Sequence, residues 1–209
     1  MEKNEAKERM IRFDLEGRGI RDPRVIEAFR KVPRESFVRA GDEAAAYGDF
    51  PLPIGCGQTI SQPYIVALMT EACRLGGSET VLDVGTGSGY QAAILAELVE
   101  KVVTIERIPE LHERARKRLE GYENVTCLLG DGGLGWEAES PYDAIVVAAQ
   151  TPKIPPALLR QLKIGGRLII PVGDRFSQEL LRVTRSDENS WDREFLCGVR
   201  FVPLISEAG

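Results

Sequence analysis

Beyond Thr80 the chain alternates between short apolar runs and amphipathic stretches, and few folds accommodate that rhythm. The runs Val81–Val84, Val102–Ile105, Val125–Leu129, Ala144–Ala148 and Leu168–Pro171 are nearly free of charge. They are too short for buried helices and read as strands covered on both faces. Between the earlier ones lie Gly89–Leu98, Pro109–Leu119 and Pro155–Leu162, which read as helices. Buried strands separated by helices predict a parallel sheet wound on both sides. Glu179–Arg185 and Glu194–Val202 read as two further strands. Charged and apolar residues alternate in the first of them, which predicts an antiparallel strand near an edge. The expected fold class is α/β, a doubly wound, mostly parallel sheet with helices on both faces and an N-terminal helical extension.

That extension has its own punctuation. Asp22-Pro23 pairs an N-cap with proline at the first helical position, and Val25, Ile26, Phe29 and Val32 recur at helical spacing until Pro33 ends the helix. From Tyr47 to Pro63 the chain carries Pro51, Pro53, Gly55, Gly57 and Pro63, a density that predicts a structured loop rather than a regular element. Loops of that length inside a compact domain tend to be functional. A helix follows, with Ile65, Leu68, Met69, Ala72 and Cys73 on one face. The segment up to about Gly19 is compatible with a packed helix or a frayed one. No repeat or linker interrupts the chain, so residues 1–209 are expected to form one domain. In it, residues 1–78 supply helices and the proline-rich loop, and residues 79–209 supply the sheet.

Bulk properties remove several classes of function. Hydrophobic residues make up 43% and charged residues 28%, an ordinary globular balance. A net charge of -5 argues against nucleic acid as a partner, because phosphate neutralisation needs a clustered basic surface. No long uncharged apolar run predicts a membrane span. Met1 to Arg12 is dense in Glu, Lys and Arg without an apolar signal core, so the cytoplasm is the expected compartment. Cys56, Cys73, Cys127 and Cys197 lack C-x-x-C spacing and read as reduced, structural thiols. His112, the one histidine, sits in a polar helix and reads as a solvated surface residue. Histidine-based triads and histidine metal sites therefore lose their raw material, and no metal is expected.

The strongest local signal is Val81-Leu82-Asp83-Val84-Gly85-Thr86-Gly87-Ser88-Gly89-Tyr90, where a strand ends in a glycine-rich turn and opens a helix. Such a turn brings free backbone N–H groups close to a ligand. Three details narrow the ligand. Tyr90 stands where a dinucleotide fingerprint wants glycine or alanine, which disfavours a pyrophosphate. Asp83 adds negative charge that would repel a diphosphate but suits a cofactor bearing an amino group and a sulfonium. Glu106 ends the next strand, placed to accept both hydroxyls of a ribose. The set Asp83, Gly85, Thr86, Gly87, Gly89 and Glu106 resembles the S-adenosylmethionine signature of Rossmann-like class I methyltransferases. In that class an acid after the third strand often accepts the adenine amino group, a position held here by Asp131-Gly132; a turn or helix-capping Asp is the other reading. The chain after the fourth strand, Val147-Ala148-Ala149-Gln150-Thr151-Pro152, lacks the Asn/Asp-Pro-Pro-aromatic motif of adenine-N6 and glutamine methyltransferases.

The loop Leu52-Pro53-Ile54-Gly55-Cys56-Gly57-Gln58-Thr59-Ile60-Ser61-Gln62-Pro63 resembles the most distinctive motif of the protein-L-isoaspartate (D-aspartate) O-methyltransferases. Val32–Val38, Ile164–Leu168, Pro171–Gly173 and Phe201–Leu204 are similar to other pieces of the family, in the family's order, so the resemblance runs from about Arg21 to Leu204. It implies methyl transfer from S-adenosylmethionine, leaving S-adenosyl-L-homocysteine, to the free α-carboxylate of isoaspartyl residues, with D-aspartyl residues as a second target, in damaged proteins and peptides. The resulting ester closes to a succinimide that can reopen as normal aspartate. Ser61 matches the active-site serine, with Gln58, Thr59 and Ile60 in the same cleft. Such an enzyme is expected to act as a monomer, with neither nucleic acid nor membrane as partner.

The chemistry is compatible with a histidine-poor chain. An α-carboxyl has a reference pKa of about 3.3–3.7, so the nucleophile is ionised at neutral pH without a general base. The Ser61 hydroxyl can orient that carboxylate by donating one hydrogen bond. Ser61 also stands where it could cap the helix from Pro63. Two other readings stay open: an S-adenosylmethionine-dependent methyltransferase of RNA or a small molecule, and a non-catalytic relative that only binds the cofactor.

Overall fold

The computed structural model describes residues 3–207; Met1, Glu2, Ala208 and Gly209, which the expected domain span includes, lie outside the described residues. Helix α1 (Lys3–Arg9) runs into a π-helical stretch, Met10–Leu15, whose Met10, Ile11 and Leu15 are buried. The stretch from Met10 to Leu15 is therefore packed rather than frayed, while α1 buries none of its residues. Helix α2 (Pro23–Lys31) begins as its sequence predicts, with the Asp22 carboxylate accepting from the Arg24 amide at 2.9 Å, and buries Val25, Ile26 and Phe29.

The proline-rich segment is not wholly irregular. Strands β1 (Leu52–Gly55) and β2 (Gln58–Ile60) form a small antiparallel hairpin, turning through Cys56 and Gly57, both with positive φ. A two-stranded ribbon has only edges, so Pro53 removes no interior ladder bond. Helix α3 (Pro63–Ala72) follows directly.

The remaining strands are β3 (Thr80–Val84), β4 (Lys101–Glu106), β5 (Val125–Leu129), β6 (Tyr142–Val147), β7 (Leu162–Gly173), β8 (Gln178–Arg185) and β9 (Trp191–Val199). Helices α4 (Tyr90–Ala96), α5 (Pro109–Arg118) and α6 (Pro156–Arg160) lie between the earlier of them. The sheet order is β5-β4-β3-β6-β7-β8-β9, parallel from β5 to β7 and antiparallel beyond. The α/β, mostly parallel, Rossmann-like expectation describes this sheet. The chain winds outward from β3 to β5, then returns to lay β6 on the other side of β3, which puts the topological switch point between β3 and β6. Strand β8 is antiparallel as its alternation predicts, but β9 takes the edge.

Period-two alternation divides the core. Val81, Val102, Ala144 and Val146 face one hydrophobic cluster, which reaches from Met10 to Leu180 and takes in α2 to α5. Leu82, Val84, Val103, Ile145 and Val147 face a second, covered by α6 and the short turns after β5. His112 is half-buried rather than solvated, and its Nε2 is buried without a hydrogen-bond partner. It lies next to Leu111 and one turn from Ala115, both fully buried, so the edge of the buried stripe draws it in. Among the described residues, no helix is long and apolar enough to cross a membrane.

Helix α4 can start where it does because Gly89 has φ 92°, and a Cβ there would meet Leu119 Cδ1 at 3.2 Å and Ala115 Cβ at 3.6 Å. The close approach that a dinucleotide fold makes one residue later is thus made here between α4 and α5. Gly89→Ala should cost about 1–3 kcal/mol of stability. A chemical denaturation curve checks this: a lower midpoint at unchanged slope is expected, and an unchanged midpoint would contradict it.

Candidate active site

A cleft of about 1000 Å³ opens at the C-terminal ends of β3, β4 and β6, at the switch point where open α/β sheets bind ligands. One wall is the turn Val84–Ser88, and Glu106 to Ile108 form the next. Gly132 and Ala148 close the floor, the β2 side contributes Gln58 to Gln62, and Gly198 to Ile205 complete the rim.

Glu106 is 6% exposed and organises the two turns. Its Oε2 accepts from the Gly87 amide at 2.8 Å and its Oε1 from the Ile108 amide at 2.9 Å. A carboxylate has about four lone-pair sites, so two remain after these bonds. Gly132 lies flat beneath the cleft, because a Cβ there would sit 2.4 Å from Val84 Cγ1.

Behind the turn, Asp83 is fully buried. Thr104 Oγ1 donates to Asp83 Oδ2 at 2.7 Å, and Oδ1 has no partner. With the Thr104 proton used in this way, Thr86 Oγ1 is the donor across the 2.6 Å Thr86–Thr104 contact. Burial, assisted by repulsion from Glu106 and opposed by the Thr104 hydrogen bond, pushes the Asp83 carboxyl up to about 7.

The sequence from residue 4 to residue 209 matches the family profile described as protein-L-isoaspartate(D-aspartate) O-methyltransferase. The chain belongs to that family. The protein-L-isoaspartate O-methyltransferase 2 of Pelobacter propionicus is 57% identical over 97% of this chain and 92% of its own length. The protein-L-isoaspartate O-methyltransferase of Geobacter metallireducens is 52% identical over 98% of this chain and 95% of its own length. Among solved structures, a protein-L-isoaspartate O-methyltransferase superposes with a TM-score of 0.87 at 29% identity, covering 97% of this chain and 67% of that one. A Plasmodium falciparum member in complex with S-adenosyl-L-homocysteine superposes with a TM-score of 0.82 at 25% identity, covering 95% and 97%.

Within this methyltransferase the sequence-predicted residues fall into two groups. Gln58, Thr59, Ile60, Ser61, Gly85, Thr86, Gly87, Glu106 and Gly132 line one cleft. Asp83, Gly89 and Asp131 do not. Asp83 supports the turn from below through Thr104, and Gly89 faces α5. Asp131 is occupied from the other side: its Oδ1 accepts from Gly133 N at 2.9 Å, and its Oδ2 accepts from Ser206 Oγ at 3.0 Å and Glu207 N at 2.7 Å. It caps the turn Gly132–Leu134 and anchors Ser206 and Glu207, and these three bonds leave one of its about four lone-pair sites free, on Oδ1. Ser61 is not a helix cap either. The N-cap of α3 is Gln62 without a side-chain cap bond, and the Tyr64 amide reaches Asp49 Oδ1 at 3.4 Å instead.

The rim was not legible in the sequence. After β9 the chain crosses back over the sheet, held by Gln150 N to the Val202 carbonyl at 2.8 Å, Leu204 N to the Gln150 carbonyl at 2.7 Å, and Phe201 N to Gln178 Oε1 at 2.6 Å. Only the family-like Phe201–Leu204 stretch hinted at it. The site is of a kind that a ribosyl cofactor fits, since Glu106 keeps acceptor capacity for a diol beside a backbone-lined turn. Among the described residues there is no group of three or more His, Cys, Asp or Glu placed to hold a metal ion.

The Asp83 environment predicts a pH dependence. A carboxyl raised from 3.8 to about 7 binds its proton more tightly folded than unfolded. Its contribution to stability is therefore full below pH about 4 and is lost as pH rises through about 7. Thermal midpoints measured across that range should fall more for the wild type than for Asp83→Asn. Parallel profiles for the two proteins would contradict the assignment.

Proposed function

We propose that this enzyme transfers a methyl group from S-adenosylmethionine to the free α-carboxylate of L-isoaspartyl residues, and to the side-chain carboxylate of D-aspartyl residues, in damaged proteins and peptides. The observation that carries the reading is that the hairpin end bearing Ser61 and the turn pinned by Glu106 face one cleft, with the Ser61 hydroxyl unused by any cap. When bound, S-adenosylmethionine supplies an electrophilic methyl on a sulfonium.

The side chains then have limited but definite tasks. Glu106 receives the ribose hydroxyls on its two free lone-pair sites, while the Gly85–Gly87 backbone and Gly132 allow close approach. The Ser61 hydroxyl donates to one oxygen of the substrate carboxylate and leaves the other free to attack. A neutral donor suits this, because a cation would hold the carboxylate's charge and blunt it as a nucleophile. Gln58 and Thr59 flank the substrate, and Ile60, Val66 and Met69 keep water from the reacting pair. Attack of an anion on a sulfonium cancels charge, so an apolar cleft favours it. No base is needed, and His112 is not on the cleft wall. The adjacent main-chain amide nitrogen then attacks the ester carbonyl and expels methanol, closing a succinimide without further help from the protein, and hydrolysis returns part of it to normal aspartate.

The reading places residues 1–209 in one domain, supported by the cluster that runs from Met10 to Leu180. It has the enzyme acting as a cytoplasmic monomer on proteins, with no membrane partner and with no nucleic-acid partner, the last supported by the net charge of -5.

Incubating an isoaspartyl peptide with enzyme and S-adenosylmethionine should yield succinimide and then aspartyl peptide by chromatography. Persistence of the isoaspartyl form alone would contradict the proposal. Ser61→Ala should lower kcat by about ten- to a hundredfold, the scale of losing one oriented donor, with S-adenosylmethionine affinity within about twofold. Equal losses in both would overturn the orienting role. Glu106→Gln should weaken S-adenosylmethionine binding about tenfold or more, since its amide nitrogen cannot accept hydrogen bonds. Unchanged affinity by calorimetry would show that the ribose lies elsewhere.

A further inference from the structure

Arg34 is not on the cleft wall, yet it is the bulkiest fully buried side chain among the described residues. Burying a guanidinium is costly, and an apolar residue of similar volume often stabilises a core as well or better. Packing alone therefore does not account for an arginine here. Its partners are main-chain carbonyls rather than carboxylates: Nε donates to Ala46 O at 2.8 Å and Nη2 donates to Ser61 O at 2.7 Å. The guanidinium carbon lies 4.9 Å from the centroid of the Tyr90 ring, and Nη1 is buried without a partner. Burial pushes its pKa down to about 10, which leaves it charged at neutral pH.

The bond to Ser61 has a geometric consequence. The Ser61 carbonyl and the Gln62 amide form one planar unit, so fixing the direction of that carbonyl sets the backbone torsion of Ser61 and the heading of its side chain. Among the described residues, no partner holds the Ser61 hydroxyl itself; the Arg34 bond is to the Ser61 carbonyl. On the far side, Gln62 Nε2 donates to Asp49 Oδ2 at 2.6 Å, and Arg18 holds the same oxygen at 2.6 Å. The segment is thus gripped at both ends, and the grip nearest the serine is the buried guanidinium.

We infer that Arg34 is a positioning residue for methyl transfer, holding the Ser61 carbonyl so that the Ser61 hydroxyl meets the substrate carboxylate in the reactive orientation. The inference rests on the reading of Ser61 given above. A lysine keeps the charge but cannot reach two carbonyls with a rigid fork, and a methionine keeps the volume without either bond.

The test is a double-mutant cycle. Arg34→Lys and Arg34→Met are each made in the wild type and in Ser61→Ala, with kcat on an isoaspartyl peptide, S-adenosylmethionine affinity and thermal midpoint measured for all. In the wild-type background kcat should fall about tenfold or more, as misplacement of a reacting group does, with cofactor affinity within about twofold. In the Ser61→Ala background the same substitutions should change kcat by less than about twofold, because residues acting as a unit are not additive. Equal loss in both backgrounds, or a matching loss of cofactor affinity, would make Arg34 a structural residue only. If Arg34→Met fails to fold, Arg34→Lys carries the cycle; failure of both to fold would overturn the inference in the same way. Ser61→Ala alone is read first, since a wild-type kcat there strikes the serine reading itself and the Arg34 inference with it.

Discussion

The carboxylate of Glu106 ties the turn that follows β3 to the turn that follows β4, and the cleft exists because those two turns stay apart at a fixed spacing. Each oxygen spends one lone pair on a main-chain N–H, from Gly87 on one side and Ile108 on the other. Charge-assisted bonds of this kind are among the stronger ones available to a protein. The arrangement brings a second acid into play, because Asp83 lies below the same turn in a fully buried position and feels the Glu106 charge. Thr104 and Thr86 link that buried acid to the cleft wall. The glycine turn is therefore braced from the side by one carboxylate and from beneath by another.

Arginines fasten the N-terminal portion to this frame, and they do so through carbonyls. Arg118 on α5 donates to Phe37 O, Val38 O and Ser88 O, joining the N-terminal segment to the glycine turn. One helical turn earlier, Arg114 donates to Ile54 O at 2.7 Å and steadies the β1–β2 hairpin. Arg34 completes the set at Ser61. Carbonyl partners fix backbone direction without placing extra negative charge near the site. That matters where the substrate brings a carboxylate and the cofactor a sulfonium.

The parts of this design that were legible in the sequence are those set by local pattern. The strands and helices from Thr80 to Arg185 follow from apolar runs and their spacing, and the Asp22-Pro23 helix start follows from cap chemistry. Glu106 was legible because its strand ends a fixed distance after the glycine turn. What could not be read depends on contacts distant in sequence. The β1–β2 hairpin has strands of three and four residues, too short for alternation to register. Asp131 was legible as a cofactor candidate from its register, but its bonds to Ser206 and Glu207, some seventy-five residues on, were not. Asp49, not Ser61, serves the start of α3. Arg34 gave no signal beyond its place in a family-like stretch, since nothing in Val32–Val38 indicates which carbonyl it will meet.

The chemistry of the cleft is decided by where the methyl group goes. Isotopically labelled S-adenosylmethionine, offered with an isoaspartyl peptide and with the aspartyl peptide of the same sequence, tests this directly. The predicted result is base-labile label on the isoaspartyl peptide and none above background on the aspartyl one. Label on both alike, or on neither while the cofactor binds, would contradict it.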